Sequence, residues 1–120
     1  MKVLVVGLGY IGLPTATILA SRQVKVVGVD ICDHVVDIIN QGKIHIVEPE
    51  LDVLVHTAVK TGYLRATIKP EESDVFIIAV PTPFKDNHEP DMSYVESAVK
   101  KISPLLNKGN MIILESTSPV

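Results

Sequence analysis

The chain has 120 residues, 47% of them hydrophobic, and a formal net charge of −3. That length suits a single domain burying roughly two-thirds of its unfolded surface, and an acidic balance without a basic run excludes nucleic acid and anionic membranes as expected partners. No apolar stretch reaches the ~18 to 20 residues of a transmembrane helix, Gly7 and Gly9 interrupt any signal-like run, and the single Cys32 excludes an intrachain disulfide, so a cytoplasmic location is expected.

Residues 2–6, Lys-Val-Leu-Val-Val, are a short run rich in β-branched residues and predict a buried strand. Gly7-Leu8-Gly9-Tyr10-Ile11-Gly12 follows with G-x-G-x-x-G spacing, then a helix over Pro14 to Ala20 and a second buried strand over Val24 to Asp30. Each part has a task in holding a dinucleotide. Gly7 permits the tight turn, Gly9 lets the backbone approach a pyrophosphate, and Gly12 lets helix and strand pack closely. The helix N-terminus offers unpaired N–H groups and a positive dipole end. Asp30, about 20 residues past the glycines, is placed to accept hydrogen bonds from ribose hydroxyls. Its charge repels a 2′-phosphate, and residues 31–35 supply no Arg or Lys to hold one, which predicts NAD rather than NADP.

In that first helix Ile18 and Leu19 are expected to face the sheet, with Ala16 and Ala20 allowing close approach. Val35, Val36, Ile38 and Ile39 show helical spacing, stopped by Asn40-Gln41-Gly42; a further helix starts at Pro49 or Glu50, turns Leu51, Leu54, Val55 and Val59 to one face, and ends at Gly62. Leu64 to Lys69 predicts a short strand, and the apolar run Asp74 to Val80 a central parallel one. Pro81-Thr82-Pro83 ends it, because prolines cannot continue a ladder. Asp91 is a good N-cap for an amphipathic helix bearing Val95, Ala98, Val99, Ile102, Leu105 and Leu106; Met111 to Leu114 is the last strand, followed by Glu115-Ser116-Thr117-Ser118-Pro119-Val120. The alternation predicts a Rossmann-type, doubly wound α/β domain over residues 1–120: a parallel sheet of order 3-2-1-4-5 in three layers, with its ligand at the strands' carboxyl ends. The glycine loop, the Pro-Thr-Pro turn and the Ser-Thr-Ser-Pro tail are expected to converge there.

The glycine loop, Val80-Pro81-Thr82-Pro83, the Pro90-Asp91 helix start and the 115–120 tail together resemble the N-terminal domain of the UDP-glucose/GDP-mannose dehydrogenase family. Segments 7–14, 44–49 and 79–84 look most like its UDP-N-acetylmannosamine branch. The resemblance implies a sugar C6 alcohol oxidised to the carboxylate in two NAD-dependent steps by a cytoplasmic homodimer. It further implies a central helix and a C-terminal nucleotide-sugar domain, absent here, that carry the catalytic Cys and Lys. No residue of this chain is therefore assigned as catalytic, and the chain alone is expected to bind NAD without turnover. Backbone at Tyr10 and Ile11 would meet the pyrophosphate, Asp30 the ribose, and Thr82 the cofactor; Thr117 would lie near the nicotinamide and a water. At Val35 the chain departs from members that place a basic residue there.

Cys32 matches no catalytic position and is expected to be a small, partly buried packing residue. The four histidines have no metal-ligand spacing, and Asp86, His88, Glu89 and Asp91 are expected to form a solvated loop and helix cap, so no metal is expected. Tyr94 is expected on the helix surface. Other readings are a free-standing nucleotide-sensing Rossmann module, which has no use for the Pro-Thr-Pro turn, and another two-domain dehydrogenase of the 6-phosphogluconate or hydroxyacyl type.

Overall fold

In the computed structural model, residues 1–80 and 92–115 are described. In chain order the elements are β1 (Lys2–Val6), α1 (Gly12–Ser21), β2 (Lys25–Val29), α2 (Asp33–Asn40), α3 (Leu51–Lys60), β3 (Leu64–Thr67), β4 (Val75–Ile78), α4 (Ser93–Ile102), a 3₁₀ turn (Ser103–Leu105) and β5 (Met111–Leu114). The sheet is parallel with order β3-β2-β1-β4-β5, as the alternation predicts. Its register aligns Val6 with Val29 and with Ile78. The carboxyl ends of β1, β2 and β4 therefore lie side by side.

Period-two alternation along β1 divides the core. Val3 and Val5 join the cluster that contains Leu13, Ala16 and Ala20 of α1, Val36 and Ile39 of α2, and Val55 and Ala58 of α3. Leu4 and Val6 join Val27, Val29, Phe76 and Ile78 against Ala98 and Ile102 of α4. The sheet is thus sandwiched between two helical layers. β5 differs: its four side chains are 40–57% exposed.

The helices α1, α2 and α3 end in the same hydrogen-bonded closure. After α1, Gln23 N–H donates to Ala20 O and Val24 N–H to Leu19 O; after α2, Gly42 N–H donates to Ile39 O and Lys43 N–H to Ile38 O; after α3, Gly62 N–H donates to Val59 O and Tyr63 N–H to Ala58 O. This is the Schellman pattern, whose pivot residue takes a left-handed conformation. Gly42 and Gly62 supply it at φ 78° and 85°, whereas Gln23 adopts φ 65° with a side chain attached.

Several expectations need correction. Ile18 does not face the sheet but is 55% exposed; the inward face of α1 is Leu13, Ala16, Thr17 and Ala20, with Thr17 Oγ1 donating to Leu13 O at 2.7 Å. Leu54 is likewise exposed, its expected place in the core taken by Ala58. α4 stops at Ile102, ahead of Leu105 and Leu106, because Pro104 in the next turn has no N–H to continue the ladder. Cys32 is exposed rather than packed, since it caps α2 in an extended conformation at the rim of the sheet. Asp91 lies outside the described residues, and the position before α4 is Met92, without a side-chain cap.

Candidate dinucleotide site

The site is built at the carboxyl ends of β1, β2 and β4. Gly7 leaves β1 at φ 96°, and its N–H donates to Val29 O at 2.7 Å, which fastens the loop to β2. A Cβ on Gly7 would stand 2.6 Å from Ala79 O, and one on Gly12 1.7 Å from Gly7 O. Both glycines are required by the fold, because helix α1 begins in backbone contact with the turn it leaves. Gly9 is different. A Cβ there meets nothing within 4 Å among the described residues beyond its chain neighbours, so the space in front of it is open on that count. That space belongs to a cavity of about 440 Å³ lined by residues 7–11 together with Asp30, Ala79 and Val80.

The main chain facing this cavity is short of partners. No acceptor among the described residues meets the N–H groups of Gly9, Tyr10, Ile11 or Gly12, no side chain caps α1, and its first turn holds no acid. A helix end left like this concentrates donors and the positive end of the helix dipole on one spot. Such an arrangement suits an anion chemically.

Across the cavity Asp30 follows β2. Its Oδ2 accepts from Leu8 N–H at 3.1 Å and its Oδ1 from Cys32 N–H at 3.0 Å, while Asp30 N–H donates to Thr67 O. The carboxylate is held by main chain on both oxygens and still has lone pairs for a ligand's hydroxyls. Leu8 is fully buried and lies on Gly28, where a Cβ would come 2.7 Å from Leu8 Cδ2. Gly28 is a residue that sequence reasoning missed; a glycine inside a strand is itself a signal of close approach.

A second cavity of about 280 Å³ shares Gly7, Asp30 and Val80 with the first and runs between the end of β2 and α4, where Tyr94, Ser97 and Lys101 line it. On the other side, Thr15 Oγ1 donates to Glu115 Oε1 at 2.6 Å, and Glu115 N–H to Ile78 O, joining α1 to the end of β5. Val35 packs against the core. Thr82 and Thr117 lie outside the described residues. A larger concavity of about 500 Å³, lined by Gly42, Lys43, Ile44, Asp52, Val53 and His56, shares no residue with these, and the amides of Gly42 and Lys43 are already bound. Among the described residues no group of three or more His, Cys, Asp or Glu is placed to hold a metal.

The family described as "UDP-glucose/GDP-mannose dehydrogenase family, NAD binding domain" matches residues 1–120. This chain belongs to that family. Its cofactor is NAD. It is 69% identical over 120 residues to the UDP-N-acetyl-D-mannosamine dehydrogenase of Campylobacter jejuni, covering 99% of this chain and 30% of that protein. It is 67% identical over 116 residues to the NDP-N-acetyl-D-galactosaminuronic acid dehydrogenase of Ralstonia nicotianae, covering 97% and 27%. Among solved structures, the UDP-N-acetyl-mannosamine dehydrogenase of Staphylococcus aureus superposes with a TM-score of 0.95 at 48% identity, over 98% of this chain and 29% of that one. The chain thus spans under a third of the length of these relatives. No described helix is long and apolar enough to cross a membrane.

Proposed function

We propose that this domain holds NAD for a nucleotide-sugar 6-dehydrogenase that oxidises the C6 alcohol of a UDP-sugar, UDP-N-acetyl-D-mannosamine, to the uronic acid with two NAD. The observation that carries the reading is the run of amides at Gly9, Tyr10, Ile11 and Gly12 without a partner among the described residues, beside a Cβ position open among those residues. Those amides hold the pyrophosphate, and Gly7 and Gly12 set the turn that aims them. Asp30, fixed by Leu8 and Cys32, accepts from the adenosine ribose hydroxyls. A 2′-phosphate at that carboxylate brings like charges together. NAD supplies the hydride acceptor; this chain supplies its orientation.

Thr82 and Thr117 are proposed cofactor contacts from the segments after β4 and β5, Thr117 beside the nicotinamide and a water. The domain is proposed to work in the cytoplasm as one part of a larger homodimeric enzyme, whose further domains bring the catalytic Cys and Lys. The choice of sugar rests on the Campylobacter relative's name and 69% identity. The test is to follow NADH absorbance with the longer protein containing this domain and UDP-N-acetyl-D-mannosamine. Two NADH per sugar are expected, and no NADH with that sugar removes the assignment.

A further inference from the structure

Asp30 and the lack of Lys or Arg in residues 31–35 favour NAD. The fold adds a cation from another element. Lys101, in the last turn of α4, lines the same 280 Å³ cavity as Asp30, next to Ser97 and over an apolar floor that includes Val29 and Ala98. It is exposed and makes no ion pair among the described residues. The Asp30 oxygens bond to the main chain at Leu8 and Cys32 rather than to Lys101. The cavity lining therefore combines a carboxylate held by main chain on both oxygens with a lysine on a long flexible stem that makes no ion pair among the described residues.

We infer that Lys101 is a latent recognition group for a ribose 2′-phosphate, so that discrimination against NADP rests on the Asp30 carboxylate alone. The inference rests on the NAD reading above. A phosphate monoester added at the 2′ position enters a space where Asp30 repels it and Lys101 and Ser97 offer donors. With both walls present the repulsion dominates, because Asp30 sits rigidly where the 2′ oxygen must go, whereas Lys101 has to give up conformational freedom to reach it. Neutralising Asp30 leaves the attractive wall. The plainer role for Lys101, a cation favouring the C-terminal end of the α4 dipole, predicts no difference between the two cofactors.

The experiment is calorimetric titration of the chain with NAD and NADP in wild type, Lys101→Ala, Asp30→Asn, Asp30→Ser and the Asp30→Asn/Lys101→Ala double variant. Asp30→Asn is expected to shift the NADP-to-NAD affinity ratio toward NADP about tenfold or more as the repulsion is lost, and adding Lys101→Ala to lower that ratio again by about tenfold, the size of one charge-assisted hydrogen bond. Raising salt should erode the gain. Asp30→Ser, which keeps a short acceptor for Leu8 N–H, repeats the test if the Asn variant does not fold. In the wild-type background Lys101→Ala should weaken NADP about fivefold more than NAD. No gain of NADP binding in either Asp30 variant overturns the inference, as does an NADP-to-NAD ratio in the Asp30 variant that Lys101→Ala leaves unchanged. Failure of the wild type to bind NAD at all would instead remove the underlying NAD reading.

Discussion

Replacing Gly9 by Ala separates the binding role of the glycine loop from its folding role. The new Cβ meets nothing within 4 Å among the described residues, and Gly9 does not need a left-handed conformation, so the described fold accommodates it. Stability should hold or rise by about 0.4–1 kcal/mol, because the unfolded chain loses freedom. The methyl group does occupy the space in front of the amides of residues 9–12. A pyrophosphate displaced by about one ångström loses at least one charge-assisted hydrogen bond worth roughly 1.5–3 kcal/mol. NAD affinity should therefore fall about 10- to 150-fold. Gly12→Ala is the contrasting variant: its Cβ would lie 1.7 Å from Gly7 O, so the backbone itself must move and stability falls along with binding. Thermal unfolding and calorimetric titration with NAD on the two variants decide the matter. A Gly9→Ala protein that binds NAD like wild type, or that unfolds like Gly12→Ala, would show that Gly9 does not keep that space open for a pyrophosphate.

Asp30→Ala removes both the ribose acceptor and the partner of Leu8 and Cys32 N–H; it should weaken NAD about 10- to 100-fold and lower stability by about 1–2 kcal/mol, measured by titration and urea unfolding. Gln23→Gly should raise stability by about 0.5–1 kcal/mol, because the left-handed pivot at φ 65° costs a side-chain-bearing residue more than glycine loses in entropy, and a lower melting temperature would count against it. Glu71 accepts a two-point contact from Arg65 and a bond from Lys2 at 2.8 Å, which hold its carboxyl down at about 2. A depressed folded pKa stabilises above the unfolded value and is lost as pH falls through the folded one. Wild type should thus exceed Glu71→Gln by less than about 1 kcal/mol at neutral pH, given the pair's exposure. The gap should close between roughly pH 4.5 and 2, as urea unfolding across that range would show.

Much of this site was legible because its determinants are local. Glycine spacing, a strand before it, a helix after it and an acid about 20 residues on are all readable along the chain, and the structure places Gly7, Gly9, Tyr10, Ile11 and Asp30 around one cavity. What escaped depends on contacts between elements distant in sequence. Gly28 is needed only because Leu8 lies across it, and Lys101 reaches the Asp30 cavity only because α4 packs on the face of β1 and β2 bearing Val6, Val27 and Val29. Ile18 and Leu54 were misplaced because hydropathy cannot tell an inward apolar residue from an outward one when small residues such as Ala16, Thr17 and Ala58 form the contact face. Cys32 was misread for a similar reason: its residue type favours burial, and its cap position at the sheet rim overrides that tendency.

The loop amides of residues 9–12, without partners among the described residues, are proposed to hold the cofactor pyrophosphate. The direct measurement is a titration of the ¹⁵N-labelled chain with NAD, following each amide resonance. The amides of Gly9, Tyr10, Ile11 and Gly12 should shift most, joined by those of Leu8 and Cys32 that are hydrogen-bonded to Asp30. Saturable NAD binding that leaves residues 9–12 unmoved would place the pyrophosphate elsewhere.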